Sequence, residues 1–318
     1  MGRGRLWLTA LSCWLAVSSC GDDGHGPQQL DAEPAETDDS GSDMADDSGT
    51  ETQAENVSQT PPSGANGLAF DAEGRIWLAD LFGNQVLRLD PESGAILDRF
   101  VLEGAGPDDV AIDQEGRVFW TGWMNGKVGR IDPATRENLI IAELPAGANS
   151  IAFSEDGRLF VGLVILNSGL YELDPEGHDA PRLVADNIGS LNGFDFGPDG
   201  FLWGPLDDAV AKIDAETGEI VETVAEGAYA SVRYSERDGA LYALTNGEDS
   251  APPALNRIAL DGYTVTRLGE PALAAVDNFA IAPGGDFVVS GFGVPELVVV
   301  SREDGTSSSV TKIGETTD

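Results

Sequence analysis

Six positions of this 318-residue chain occupy equivalent places in a repeat, and five carry side chains that can hold a metal ion or a polar ligand. They are Asn66, Asp108, Asn149, Asn192, Ala230 and Asp277. Their contexts repeat: Gly64-Ala-Asn66-Gly-Leu-Ala-Phe, Gly106-Pro-Asp108-Asp-Val-Ala-Ile, Gly147-Ala-Asn149-Ser-Ile-Ala-Phe, Leu191-Asn192-Gly-Phe-Asp-Phe and Val276-Asp277-Asn-Phe-Ala-Ile. A ring of hard oxygen donors with two carboxylates suits Ca2+ or another divalent cation such as Mg2+. Two other readings stand beside this one. Asn and Asp cap turns by bonding local backbone amides, and a repeat would copy such a cap into every unit. The same side chains could also touch a ligand directly, without a metal.

Other chemistries are excluded by what the chain lacks. His25 and His178 are its only histidines, so a Ser-His-Asp triad has no partner set. His178 lies in the turn Asp174-Pro-Glu-Gly-His178 and reads as a solvated residue. Cys13 and Cys20 are the only cysteines, which leaves no disulfide framework, Cys-based metal site or thiol nucleophile in the body of the chain. There is no Walker loop and no Gly-x-Gly-x-x-Gly opening a helix. The net charge of −37 argues against nucleic-acid binding, since such a surface repels phosphates. If the protein is an enzyme, a carboxylate must carry the proton.

The elements that position these residues follow from self-comparison. One turn recurs as Asp71-Ala-Glu-Gly74, Asp113-Gln-Glu-Gly116, Ser154-Glu-Asp-Gly157, Gly197-Pro-Asp-Gly200, Ser235-Glu-Arg-Asp-Gly239 and Ala282-Pro-Gly-Gly285. Its glycines are 42, 41, 43, 39 and 46 residues apart. A second marker keeps the same period: Leu89-Asp90-Pro91, Ile131-Asp132-Pro133, Leu173-Asp174-Pro175, Ile213-Asp214, Leu260-Asp261 and Glu303-Asp304. Short apolar runs between the markers give four strands per unit, and no sustained 3.6-residue period occurs. Four strands every ~40–45 residues is the pattern of a propeller blade. The expected fold is therefore an all-β, six-bladed β-propeller with four-stranded blades over residues 64–318. Its inner strands should start near 67, 109, 150, 193, 231 and 278. The last unit supplies its own outer strand at Ser308 to Ile313, while Ala54 to Ser58 is a further candidate strand.

Innermost strands line a propeller's channel, so the Asn/Asp ring falls at one mouth. Loops between second and third strands bring further candidate ligand-binding groups there: Asp80, Trp123, Asn125, Asp207 and Asn246, with Phe82 and Asp208 nearby. Trp123 reads either as a stacking platform or as packing between blades. Trp77, Trp120 and Trp203 read as blade-to-blade core. The insertion Gly247-Glu-Asp-Ser-Ala-Pro-Pro253 lengthens one loop into a candidate lid.

Ahead of the repeat, residues 1–19 read as a signal peptide. Arg3 and Arg5 precede an apolar stretch from Leu6 to Val17, too short to span ~30 Å of hydrocarbon. Val17-Ser18-Ser19-Cys20 resembles the lipobox of bacterial lipoproteins, which implies lipid on Cys20 and a place in the bacterial cell envelope, facing the periplasm or exterior. The membrane is then met through a lipid anchor only. Residues 20–63 hold the lipidated cysteine and a linker with 12 Asp/Glu and no Lys or Arg, a solvated spacer by composition.

The segments Asn66-Gly-Leu-Ala-Phe-Asp-Ala-Glu-Gly-Arg-Ile-Trp77 and Pro107-Asp108-Asp-Val-Ala-Ile-Asp-Gln-Glu-Gly-Arg-Val-Phe-Trp120 resemble strand motifs of the SMP-30/gluconolactonase/LRE-like propellers. The resemblance implies a divalent metal at the channel mouth, bound by a Glu, an Asn and an Asp, with the Asp doubling as base in lactone hydrolysis. By motif, Asn66 or Asn192 matches the Asn, and Asp108 or Asp277 matches the Asp; Asp108, whose segment best matches the family's Pro-Asp motif, is the base the resemblance implies if the protein is an enzyme. The Glu-Gly-Pro motif that supplies the Glu has no counterpart here. A weaker resemblance extends to streptogramin lyases, whose metal has a histidine beside it. Two functions are thus expected of the mouth. One is binding of a small molecule or protein partner, with a divalent metal; the other is metal-dependent hydrolysis of a lactone or ester.

Overall fold

The computed structural model describes residues 61–164, 168–247, 251–309 and 312–314. The expected signal peptide, Cys20, the acidic linker and the candidate strand Ala54 to Ser58 lie outside the described residues, as does the tip of the 247–253 insertion.

The described residues form six four-stranded antiparallel sheets, each from consecutive strands, with no helix among them. This is a six-bladed β-propeller. The inner strands are Leu68–Phe70, Pro107–Ile112, Ala148–Phe153, Asp195–Phe196, Tyr229–Ser235 and Phe279–Ile281. The starts lie within two residues of those expected. The fourth is late because Gly193 adopts a φ of 47°, which takes the chain out of extended geometry before Asp195. The last outer strand is described over Ser307–Ser309, and residues 310 and 311 of the expected span lie outside the described residues.

Each inner strand runs from the Asn/Asp ring, called here the upper end, to the glycine turn at the lower end. Lower turns are closed by their own acids. Asp71 Oδ1 accepts hydrogen bonds from the Glu73 and Arg75 amides at 3.1 and 2.8 Å. Asp113 repeats this with Glu115 and Arg117 at 3.0 and 2.8 Å. The Asp-Pro turns do likewise: Asp132 accepts from Ala134 and Thr135 at 2.8 and 3.2 Å.

Second strands are buried along their whole length, as in Ile76–Asp80, Val118–Gly122 and Leu159–Leu163. The core therefore lies between blades rather than within one. Phe119 of blade two packs with Ile151, Leu159 and Val161 of blade three. Trp77, Trp120 and Trp203 are buried in these inter-blade clusters, as expected. Each such large side chain contributes roughly 1.5–3 kcal/mol through burial. Lower-end ion pairs tie the same blades: Arg117 meets Glu176 at 2.7 Å, and Arg158 meets Glu216. Ring closure packs Ala280, Val288 and Leu297 of the last blade against the first. Ile313 packs with Leu68 and Ile76 of blade one, and the Gly314 amide donates to Gly94 O at 3.2 Å.

Candidate functional site

At the upper end neighbouring inner strands approach closely enough to bond each other. The Gly67 amide donates to Asp108 O at 2.7 Å, and the Val232 amide donates to Gly193 O at 2.6 Å. Thr121 Oγ1 donates to Asn149 O. These contacts hold the ring residues of adjacent blades at one level.

Asn66, Asp108 and Asn149 are buried there, with exposures of 1%, 5% and 7%. Asp277 and Asn192 are half-buried at the corresponding places, and Ala230 is buried. Asn66 Nδ2 lies 3.5 Å from Asp108 Oδ2, at the limit of a hydrogen bond. Asn66 Oδ1 and Asn149 Oδ1 have no hydrogen-bond partner, nor does Asp109 Oδ2 on the adjoining residue. A turn cap would spend those amide oxygens on local N–H groups. At Asn66 and Asn149 they are not so spent, which removes the cap reading for these two. Leaving a buried acceptor unmade costs ~1–3 kcal/mol, so several together mark a place built for something else to bind.

The carboxylates tell the same story. Burial, and then repulsion from Asp277 and Asp109, push Asp108 well above the usual carboxylate range; the Asn66 amide opposes this. Burial raises Asp277 to about 7, with the charge of Asp109 adding and Arg233 opposing. Asp109 is raised to about 6 by burial, against the pull of Arg233. Crowded acids of this kind hold protons near neutrality unless a cation joins them. Among the described residues no group of three or more His, Cys, Asp or Glu side chains forms a metal set by itself. A divalent ion here would therefore draw on amide oxygens as well: Asp108 and Asp277 for charge, Asn66 and Asn149 for neutral donors. That mixture of hard oxygens fits Ca2+ or Mg2+.

The loop candidates divide. Asp80 is fully buried and turned inward, accepting from the Gly64 and Gly83 amides at 3.0 Å and from Gln85 Nε2 at 2.6 Å. Its role is to fasten the entry segment to the first upper turn. Trp123 and Asn246 are half-buried on the upper rim, and Asp207 is exposed there. Asn125 caps its own turn, Oδ1 accepting from the Lys127 amide at 3.0 Å. Exposed Met124 beside Trp123, and the Phe82–Phe292 ring contact at 5.9 Å, make two apolar patches on this rim. His178 is 82% exposed in a lower turn, as expected.

Two residues were missed. Arg233 and Asp195 stand on inner strands where the other blades carry Ala69, Ala111, Ala152 and Ala280. That departure from an alanine column was the available signal. Asp195 accepts from the Tyr234 and Phe196 amides at 2.9 and 2.8 Å, and burial raises it against the pull of Arg233. Both line a cavity of about 330 Å³ among the inner strands, walled also by Ile112, Phe153, Tyr234 and Ile281.

No family model matches the sequence, and no curated protein matches it. Solved structures do. A virginiamycin B lyase from Staphylococcus aureus is similar at a TM-score of 0.59 and 16% identity, over 79% of this chain and 85% of that one. The calcium-binding protein regucalcin from Agrobacterium tumefaciens gives 0.55 and 19%, over 77% and 84%. A gluconolactonase from Xanthomonas campestris gives 0.57 and 16%, over 74% and 85%. At these identities the likeness establishes the propeller fold; activity must be argued from the site.

Proposed function

We propose that the upper mouth binds a divalent cation and, with it, a small oxygen-bearing molecule, in a propeller held at the bacterial cell envelope by lipid on Cys20. The observation that carries this is the pair of buried amide oxygens without a hydrogen-bond partner, on Asn66 and Asn149, beside the raised carboxyls of Asp108 and Asp277. The calcium-binding neighbour and the lipobox-like sequence support it.

Hydrolysis of a small lactone or ester is the second reading, favoured by carboxylates raised toward neutrality. A bound divalent cation would polarise a carbonyl oxygen or the attacking water. Asp108, buried and beside the Asn66 amide, would accept that water's proton. Trp123 on the rim would stack against an apolar part of the substrate and exclude water from one side. The strongly acidic chain favours an uncharged substrate over an anionic one.

The test is a panel of lactones and esters assayed with Ca2+ or Mg2+ and again with EDTA, on the parent and on Asp108→Asn. Hydrolysis that falls at least 100-fold in the variant and stops with EDTA makes the mouth catalytic. Binding of Ca2+ without turnover of any ester leaves the binding function. Turnover indifferent to both EDTA and Asp108→Asn contradicts the hydrolytic reading. For the anchor, palmitate labelling in a bacterial host should vanish in Cys20→Ala.

A further inference from the structure

Arg233 belongs to the inner strand of blade five, but its guanidinium serves other blades. Nη1 donates to Phe194 O of blade four at 2.9 Å and to Val232 O at 3.1 Å. Nη2 donates to Asn278 Oδ1 of blade six at 2.9 Å. The same nitrogen stands 3.7 Å from Asp109 Oδ2 of blade two, which is diametrically opposite in a six-membered ring. The side chain therefore crosses the channel axis directly beneath the Asn/Asp ring. Alanines at the equivalent places on four blades leave room for it. Asn278 is itself fixed, since its Oδ1 also accepts from the Phe279 amide at 2.9 Å and its own amide donates to Ser290 Oγ at 3.1 Å. The guanidinium is thus a cation at a set position, with a side chain only 14% exposed.

We propose that Arg233 is the specificity-determining cation of the mouth: by pairing with Asp109 it leaves two carboxylate charges, those of Asp108 and Asp277, and so selects a divalent over a trivalent ion. This rests on the metal-binding reading above. Ionised, the three acids carry three negative charges within one poorly solvated space, and the guanidinium cancels one. Coulomb attraction in such a space is strong enough that one unit of charge changes which ion is preferred. A guanidinium is suited to this task because it stays protonated even when buried. A merely structural tie would hold the blades without changing the order of ion preference.

The experiment compares Ca2+ and Tb3+ binding by calorimetry on the parent and on Arg233→Met, Arg233→Lys, Asp109→Asn and the double variant Arg233→Met/Asp109→Asn. Arg233→Met should raise the Tb3+ to Ca2+ affinity ratio at least tenfold. Arg233→Lys, which keeps the charge, should stay within threefold of the parent. Asp109→Asn should weaken both ions, Tb3+ more than Ca2+. The double variant restores the charge balance and should return the ratio to within threefold of the parent, a result that loss of packing would not produce. Circular dichroism on each variant establishes folding, and Asp109→Asn keeps the charge argument testable if Arg233→Met does not fold. The proposal is overturned if folded Arg233→Met keeps the parent ratio, or if the double variant departs further from it than either single change. A parent that binds neither ion overturns the metal-binding reading itself and this inference with it.

Discussion

The two ends of the propeller use the same residue type for opposite purposes. At the lower end aspartates are spent on folding. Burial raises the Asp71 carboxyl, but hydrogen bonds from the Arg75 amide, Trp77 and Arg88 outweigh it and hold the group below its ordinary value. Asp132 and Asp174 are lowered by turn amides in the same way. At the upper end Asp108, Asp109 and Asp277 are raised, and oxygens beside them lack donors. Satisfied acids make turns; frustrated ones make a site. Glycines divide likewise. A Cβ on Gly67 at the upper end would lie 2.4 Å from the Asp109 Cα, so blade two's backbone requires the missing side chain. Gly116 at the lower end faces open space and is required only by its φ of 80°.

Breaking each end in turn should separate these roles. Gly67→Ala forces two inner strands apart and should cost ~3 kcal/mol, with loss of any Ca2+-induced stabilisation, as read by denaturant unfolding with and without the ion. Asp71→Ala removes several hydrogen bonds and the Arg88 ion pair, for about 2 kcal/mol, and should leave Ca2+ binding intact. Gly116→Ala should cost ~1–2 kcal/mol through its left-handed backbone alone. Arg117→Ala, which loses a partly exposed inter-blade pair with Glu176, should cost under about 1 kcal/mol.

The two ends should also answer pH differently. A carboxyl raised in the folded state binds its proton more tightly there than in the unfolded chain. Its contribution is therefore complete at low pH and is lost as pH climbs through the folded value. With Asp277 near 7 and Asp108 raised as well, metal-free protein should lose melting temperature between pH 5 and about 8. Asp277→Asn should flatten that slope. The lowered acids of the other end act in the opposite sense, losing stability only as pH falls through their depressed values, so they contribute nothing to this window. A metal-free melting curve that rises from pH 5 to 8 would show that the mouth acids are not buried as described.

Much of this was legible in the sequence, because each turn writes its own signature. The recurring glycine turn and the aspartate that follows each third strand together locate every blade, since a positive φ at Gly and local amide bonding to Asp are short-range demands. Alignment on those markers also put Asn66, Asp108, Asn149 and Asp277 at equivalent places above the inner strands. What the pattern could not convey was direction and reach. Asp80 ends a buried second strand, and its inward use by Ser63, Gly64 and Gln85 depends on where the entry segment docks. Arg233 meets a partner 124 positions earlier, on the opposite blade, and no local spacing records that a side chain spans the axis.

The central claim, that the upper mouth rather than the acid-rich surface holds the cation, is tested most directly by Ca2+ calorimetry at pH 7.5 on the parent and on Asp108→Asn/Asp277→Asn. One high-affinity ion per chain is expected in the parent, with a matching rise in melting temperature of about 3 °C or more, the size of shift ~1 kcal/mol gives in a domain this large. The double variant should fold, since it loses repulsion, and should lose both the ion and the rise. Equal Ca2+ binding by a folded double variant would contradict the assignment.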